Sequence, residues 1–468
     1  MQHPVQDYLS SLVDRLRAER GGELATYIPV LAEADPEKLG VAMATVTGRV
    51  HCAGDADTEF TIQSVSKPFA YAAALVDRGA ETVDDAVGLN PSGEAFNELS
   101  LEEQSKRPDN AMINAGALAV HQLLVGPFAG RQERIDRVVG LMSLLAGRRL
   151  TVDRTTYESE MGASDRNLAL AHMLRSHGIL HDRAEDVVAG YVAQCSVLVT
   201  VRDLAVMGAC LASGGVHPLT GERVLPSLFC RQVLSVMSTA GMYEAAGQWM
   251  AHVGIPAKSG VSGAVLGALP GQAGIAVFSP PLDAAGNSVR GVLAFERMSE
   301  DLNLHVMEAD ALGGTVVRFV RREGDTVLMH LQGVIRFGGG EAVATAMADL
   351  GTGGEPGAGD WQSPAYPEWE DGVLAPVEGV AAEHGDRVPR EDADPALAVA
   401  AATGDGSVRE AAAAREGEGP IRTVVLNLER VDRMTRVGRR LVAEGIRRLE
   451  ADGVVVRVVD PDGMFGAA

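Results

Sequence analysis

The 468-residue chain has only four cysteines, Cys52, Cys195, Cys210 and Cys230, dispersed and without any C-x-x-C pair. A disulfide framework is not expected in a chain of this length, and the four read as free core cysteines. No H-E-x-x-H or other ligand spacing occurs and the histidines are scattered, so neither a metal nor another cofactor is inferred. No uninterrupted apolar run approaches a membrane span: even 187–198 is broken by a glutamine, a cysteine and a serine. The start, M-Q-H-P-V-Q-D-Y-L, lacks the basic stretch and apolar core of a secretory signal, which makes the cytoplasm the expected compartment. Basic clusters are missing as well. With a formal charge of -22, neither nucleic acid nor an anionic membrane surface is expected as a partner.

What is present is a folded protein of 46% apolar composition, long enough for two or three domains. Residues 8–20 read as a helix, two short strands flank a Thr47-Gly48 turn, and Phe60 to Ile62 lead into a further helix. Helices are expected near 112–125, 132–146, 164–176, 184–195 and 201–212, the last with Thr200 as cap and Asp203 in its first turn. Strand-like segments return at Gly274 to Phe278 and Gly291 to Glu296. The order implies an α/β (α+β) fold whose early and late strands meet beside a helical subdomain.

Residues 351–420 differ in kind. They hold 15 Asp/Glu against four Arg and no Lys, a local balance of -11, with much Gly, Ala and Pro. Such a segment buries too little apolar surface to offset its ordering entropy, and it is expected to be a disordered insertion. Folded-looking pieces flank it: D-T-V-L-M-H-L-Q-G-V-I-R-F before, and I-R-T-V-V-L-N-L, a helix near 437–450 and V-V-V-R-V-V after. Together they make one small α/β unit.

The chemistry centres on Ser64-Val65-Ser66-Lys67. A serine hydroxyl needs a base, and a lysine at i+3 lies on the same helical face. The pair also occurs by chance in surface helices, but here Pro68 to Leu75 is mostly apolar and would desolvate the amine, lowering its pKa toward a general base. Lys258-Ser259-Gly260-Val261-Ser262-Gly263 is a small-residue segment that could serve as a plain turn or bring backbone N–H groups to a carbonyl, as an oxyanion hole requires. Polar groups among apolar ones, Asn110, Asn114, Glu160, Asn167, Tyr191 and Tyr243, would each pass singly as structural; together they suit a small zwitterion.

With Q-S-V-S-K-P-F, P-D-N-A-M-I-N-A-G-A, Y-E-S-E-x-x-x-S-D-R-N, Y-V-A-Q-C-S, L-A-x-G-G-x-x-P-L-T-G and S-T-A-G-M-Y-E-A-A-G followed by V-G-I-P-A-K-S-G-V, the chain resembles the serine-dependent glutaminase family over roughly 20–305. The resemblance implies a β-lactamase-like serine hydrolase domain, the fold shared with penicillin-binding proteins. It also implies L-glutamine as substrate, Ser64 as nucleophile and Lys67 as base. Tyr27 and Tyr243 match tyrosines near the reacting centre, the second a proton relay. Asn114, Glu160, Asn167 and Tyr191 match residues holding the α-carboxylate and α-amine, and Val261 one whose backbone N–H completes the oxyanion hole with that of Ser64. Three positions depart from the pattern: Ala111, where proline is usual, and Ser262 and Ala264, in a stretch that usually runs glycine-rich.

The C-terminal pieces resemble a STAS domain, the small module of anti-sigma-factor antagonists. The expected division is thus a catalytic domain at 1–310 and a STAS-like domain at 322–462, interrupted at 351–420. Thr435, Arg436 and Val437 occupy the stretch where that family has a regulatory aspartate-serine pair, so a protein-contact unit is expected rather than a phosphoswitch. A homo-oligomer, dimer or tetramer, is the expected assembly. The alternatives are a penicillin-interacting serine hydrolase, against which the S-D-N-type triplet is not recognisable, and an inactive amino-acid-sensing regulator, which would have no need of an amine beside a hydroxyl.

Overall fold

The computed structural model describes residues 4–91, 101–102, 104–307, 316–335, 337–351, 420–461 and 463–465. The chain divides into two compact units, Met1–Glu308 and Ala309–Ala468.

The first unit opens with helix α1 (Pro4–Leu16), a 3-10 turn at Pro29–Glu33 and strands β1 (Gly40–Thr45), β2 (Val50–Gly54) and β3 (Phe60–Thr61). A second 3-10 turn, Gln63–Ser66, runs into α2 (Lys67–Arg78), followed by α3 (Ala80–Ala86), α4 (Asn114–Leu123), α5 (Arg131–Ala146), α6 (Arg154–Gly162), α7 (Asp165–Ser176) and α8 (Ala184–Cys195). The short strand β4 (Leu198–Val199) precedes α9 (Val201–Ala212), α10 (Ser227–Ala240) and α11 (Ala246–His252). Strands β5 (Ala257–Gly260), β6 (Ala264–Leu269) and β7 (Ala273–Phe278) and helix α12 (Val289–Leu302) complete it.

Five strands form one antiparallel sheet in the order β2-β1-β7-β6-β5, with Met43 opposite Ile275, so the early and late strands do meet. Side chains alternate across it. Ala42, Ala44 and Ala276 face a core shared with α2 and α9, while Val41, Met43, Ile275 and Val277 face one built from α1 and α12 through Leu9, Leu12, Phe295 and Met298. Helix α9 lies directly on the sheet because Gly274 has no side chain: a Cβ there would clash with the backbone of Ala205 and Ala209. Thr200 and Asp203 form the expected reciprocal cap of α9.

The segment Gly291 to Glu296, expected as a strand, lies within α12. Its run of valine, leucine and phenylalanine suited a buried strand, but Gly291, Ala294, Phe295 and Met298 are buried at helical spacing and Ser288 caps the first turn by accepting from the Gly291 N–H. The helices α6 and α10 carry no separate expectation.

In the second unit β8 (Val317–Glu323), β9 (Thr326–Ile335), β10 (Thr423–Met434) and β11 (Val455–Val459) form a mixed sheet in the order β11-β10-β9-β8, with β9, β10 and β11 parallel. Helices α13 (Phe337–Gly351) and α14 (Arg436–Ala451) pack against each other where Gly340 meets Gly438; a Cβ at Gly340 would fall 2.9 Å from the Gly438 Cα. Val327, Met329 and Leu331 alternate with half-buried neighbours, which leaves one sheet face covered and the other open. The insertion expected at 351–420 lies outside the described residues except at its two ends.

Candidate active site

Ser64 sits on the 3-10 turn between β3 and α2, fixed from three sides. Strand β3 pairs with β4, the Phe60 ring stacks on Phe278 of β7 at 4.0 Å, and β5 comes close enough that a Cβ at Gly260 would meet Val65 at 3.0 Å. Gln63 just before it has a φ of 50°, a left-handed conformation that costs a non-glycine residue on the order of 1 kcal/mol. Its side chain is held by two bonds: Nε2 donates to Glu160 Oε2 at 3.2 Å and to Thr61 Oγ1 at 3.4 Å.

Lys67 Nζ lies 2.6 Å from Ser64 Oγ, and the side chain is 1% exposed. Burial pushes its pKa down to about 8, against the opposing influences of Cys195 and Glu160. Half of this amine is therefore neutral near pH 8, and a neutral amine can accept the serine proton. Glu160 shows the converse: burial raises its carboxyl to about 7, while Gln63 and Lys67 pull it down.

Tyr243 is buried with a φ of 54°; its hydroxyl donates to the Ser259 carbonyl at 3.1 Å and hydrogen-bonds Ser64. Behind it stands Lys258, wholly buried, its Nζ donating to the carbonyls of Ser259 at 2.6 Å and Gly241 at 3.1 Å and lying 4.3 Å from the Tyr243 ring centroid. Burial first, and then the charge of Lys67, push this amine well below its ordinary range. On the other flank the Tyr191 ring centroid is 5.4 Å from Lys67 Nζ. The Tyr191 hydroxyl donates to Asn114 Oδ1 at 3.2 Å, and Asn114 Nδ2 donates to Asn167 Oδ1 at 3.1 Å. Glu160 lies in the last turn of α6 and Asn167 in the first turn of α7, so a break in the helix rather than two continuous turns separates them; the Ser164 hydroxyl donates to the Glu160 carbonyl at that break.

Val261 occupies the turn between β5 and β6, closed by the Gly263 N–H on the Gly260 carbonyl at 2.9 Å. Glycine is required at 263, where φ is 93° and a Cβ would clash with Ser279, but Ser262 and Ala264 lie outside the left-handed region and place no strain on the turn. Val261 packs with Ala25 and Ile28, which border Tyr27. Although 56% of Tyr27 is exposed, burial of its phenol end is the largest cause raising its pKa, followed by Tyr243 and Glu160. Among the described residues no group of three or more His, Cys, Asp and Glu converges as a metal-ligand set.

A family model for Glutaminase matches residues 22–307. The chain belongs to the glutaminase family. It is 51% identical over 346 residues to a glutaminase of Corynebacterium glutamicum, covering 74% of this chain and 84% of that one. A glutaminase of Trichormus variabilis is 46% identical over 305 residues, 65% of this chain but 91% of its own length. A crystal structure of Mglu in its tris and glutamate form superposes with a TM-score of 0.83 at 66% identity over the whole of both chains. The matched region 22–307 lies within the first unit.

Nine of the residues singled out from sequence are linked by the contacts above; the tenth, Asn110, instead donates to the Asn90 carbonyl at 2.8 Å and accepts from the Met112 N–H at 2.9 Å. Two further residues among these contacts were missed. Gln63 stands within the Q-S-V-S-K motif and Lys258 opens the K-S-G segment, where a lone lysine in a run of otherwise apolar and small residues is the signal in the sequence.

Proposed function

We propose that the first unit hydrolyses the side-chain amide of L-glutamine to L-glutamate and ammonia through a γ-glutamyl ester of Ser64. The observation that carries this reading is the buried amine of Lys67, 2.6 Å from the serine hydroxyl and brought to a pKa of about 8. Neutral Lys67 takes the Ser64 proton as Oγ attacks the amide carbon. The resulting oxyanion is met by the backbone N–H groups of Ser64 and Val261. Collapse expels the amide nitrogen, which leaves as ammonia after receiving the proton, with Tyr243 as relay between Lys67 and the leaving group. Water then attacks the ester, Lys67 accepts its proton and returns it to Ser64, and glutamate departs.

Glu160 pairs with the substrate ammonium, and Asn114, Asn167 and Tyr191 receive the α-carboxylate and remaining α-amine protons. Such a site discriminates because a substrate lacking either group leaves buried polar atoms unpaired, at about 1–3 kcal/mol each. Tyr27 covers the pocket from the solvent side. The glutamate-bound form of the related Mglu supports the product side of this scheme. A penicillin-interacting hydrolase is not favoured, since the match is to the glutaminase family and the shell fits an amino acid.

The reading includes a β-lactamase-like architecture for the catalytic domain, supported by a helical layer beside an antiparallel sheet with the nucleophile at their junction. It also includes a STAS-like C-terminal domain, supported by parallel strands β9, β10 and β11 with helices on one face; its open sheet face suits contact with a protein. All four cysteines are unpaired, which fits a cytoplasmic location.

The test is ammonia release from L-glutamine, with asparagine and a chromogenic β-lactam as comparison substrates. The expected outcome is turnover of glutamine that Ser64→Ala reduces by on the order of 10⁴-fold or more. Near-parental turnover by a folded Ser64→Ala would remove the serine from the mechanism.

A further inference from the structure

Behind the site lies a set of buried polar groups that the chemistry above does not use. Helices α4 and α8 are bridged twice, by Tyr191 to Asn114 at the start of α4 and by Gln194 to His121 in its last turn, where Nδ1 and Oε1 are 3.0 Å apart. The helices approach this closely because Gly190 has no side chain; a Cβ there would strike the His121 ring. The other end of the Gln194 amide, Nε2, donates to Ser66 Oγ at 3.3 Å, and Ser66 Oγ lies 3.9 Å from Cys195 Sγ. His121, Gln194, Ser66 and Cys195 are all 0–1% exposed.

The amide orientation fixes the tautomer of the ring. Burial pushes His121 down to about 4, so its ring is neutral and carries one proton. With Oε1 facing the ring, and a carboxamide oxygen able only to accept, that proton sits on Nδ1 while the NH₂ donates to Ser66. Gln194 thus joins three elements: α4, which begins with Asn114; its own helix α8, which carries Tyr191; and the turn at Ser66, which lies between Ser64 and Lys67 in sequence. Apolar side chains could fill the same space, but would not set the register of α8 against that turn. A buried hydrogen-bonded network does, even with His121 Nε2 left unpaired in it.

We propose that Gln194 is a positioning residue for the reaction, holding the turn that bears Ser64 and Lys67 in register with the helices that bear Tyr191 and Asn114. The proposal rests on the reading of Ser64 as nucleophile. Displacements of about 1 Å between reacting groups cost on the order of 100-fold in rate, so loss of this junction falls on the chemical step.

The experiment uses the full-length chain with Gln194→Met, Ser66→Ala and the double variant. Each single substitution leaves a buried group without its partner and is expected to lower kcat about tenfold or more, with KM within about threefold. Inactivation by 6-diazo-5-oxo-L-norleucine, an electrophilic glutamine analogue, is expected to slow in parallel. The double variant, which removes both partners of the Gln194–Ser66 bond, should lose less than the product of the two single losses.

A folded Gln194→Met with kcat within twofold of the parent overturns the proposal, as do single losses that simply multiply. If Gln194→Met does not fold, Ser66→Ala decides by the same twofold criterion. Ser64→Ala, assayed alongside, separates the two readings. Should it keep parental turnover, the nucleophile assignment fails and the positioning role falls with it; should it be inactive while Gln194→Met matches the parent, only the positioning role fails.

Discussion

The two units handle buried polarity in opposite ways. In the first, Ser64, Lys67, Glu160, Gln194 and Lys258 are all at least nine-tenths buried; in the second, among the described residues, the buried side chains are apolar. A domain that only needs to fold gains nothing by enclosing an amine or carboxyl, since each loses hydration that its protein partners restore only in part. Lysines make the point sharply. The chain has four, Lys38, Lys67, Lys106 and Lys258, against far more arginines, and two of the four are wholly enclosed beside one serine. An arginine cannot lose its proton in a protein, whereas a buried lysine can. The enclosed lysines therefore mark the place where proton transfer is possible, and the second unit has no lysine at all.

The strongest way to break this contrast is to remove an enclosed amine. Lys67→Met is expected to reduce kcat by on the order of 10⁴-fold while raising the melting temperature by about 2–4 °C. The sign follows from the lowered pKa. Stability from a group whose pKa is depressed in the folded state is fully present above its unfolded value of 10.5 and is lost as pH falls through about 8. At pH 7 the amine opposes folding, so the stabilisation by methionine should be larger at pH 7 than at pH 10. Calorimetry at the two values checks it, and an unchanged or lower melting temperature at pH 7 would show that the amine is better solvated or paired than its surroundings indicate.

A smaller effect is expected from the enclosed carboxyl. Glu160→Gln should raise KM for glutamine about 100-fold, through loss of the buried partner of the substrate ammonium. In the parent, kcat/KM should climb between pH 6 and 9, as Glu160 ionises near 7 and Lys67 loses its proton near 8. The two groups influence each other, so the profile reports the pair. In Glu160→Gln the lower ionisation should vanish and the remaining one move to lower pH, because the Glu160 charge is among the influences that hold the Lys67 pKa up. A profile identical to the parent's would exclude Glu160 from substrate binding.

These tests concern features of unequal visibility in the sequence. The serine and lysine were legible because i and i+3 are neighbours on any helix, and the helices from 114 to 212 because their caps and apolar spacing are local. The α12 segment was misread for the same reason: over six residues a run of apolar side chains does not distinguish strand from helix, and Ser288 was the signal that settles it. The convergence of residues 27, 114, 160, 191, 243 and 261 is not local at all. No periodicity joins them; the family resemblance gave them roles, and long-range pairing, β1 with β7 and β3 with β4, together with the packing of Val261 on Ala25 and Ile28, brings the segments to one place. Gln194 was quoted in Y-V-A-Q-C-S without a role, because its partners, His121 and Ser66, lie 73 and 128 residues away.

The smallest expected effect comes from removing the second unit. A chain ending after residue 308 retains every group discussed above, and the Trichormus variabilis glutaminase shows a relative almost fully accounted for by this part of the sequence. The first unit has its own two-sided core around the five-stranded sheet, which is what independent folding requires. The truncated chain is expected to fold cooperatively and to keep kcat/KM within roughly tenfold of the parent, measured by ammonia release. Complete loss of activity in a truncated chain that still melts cooperatively would mean that the second unit contributes to the site. The contrast drawn from buried polarity would then be wrong in its main point, since a unit with an apolar core and one open sheet face would be acting on chemistry it does not itself enclose.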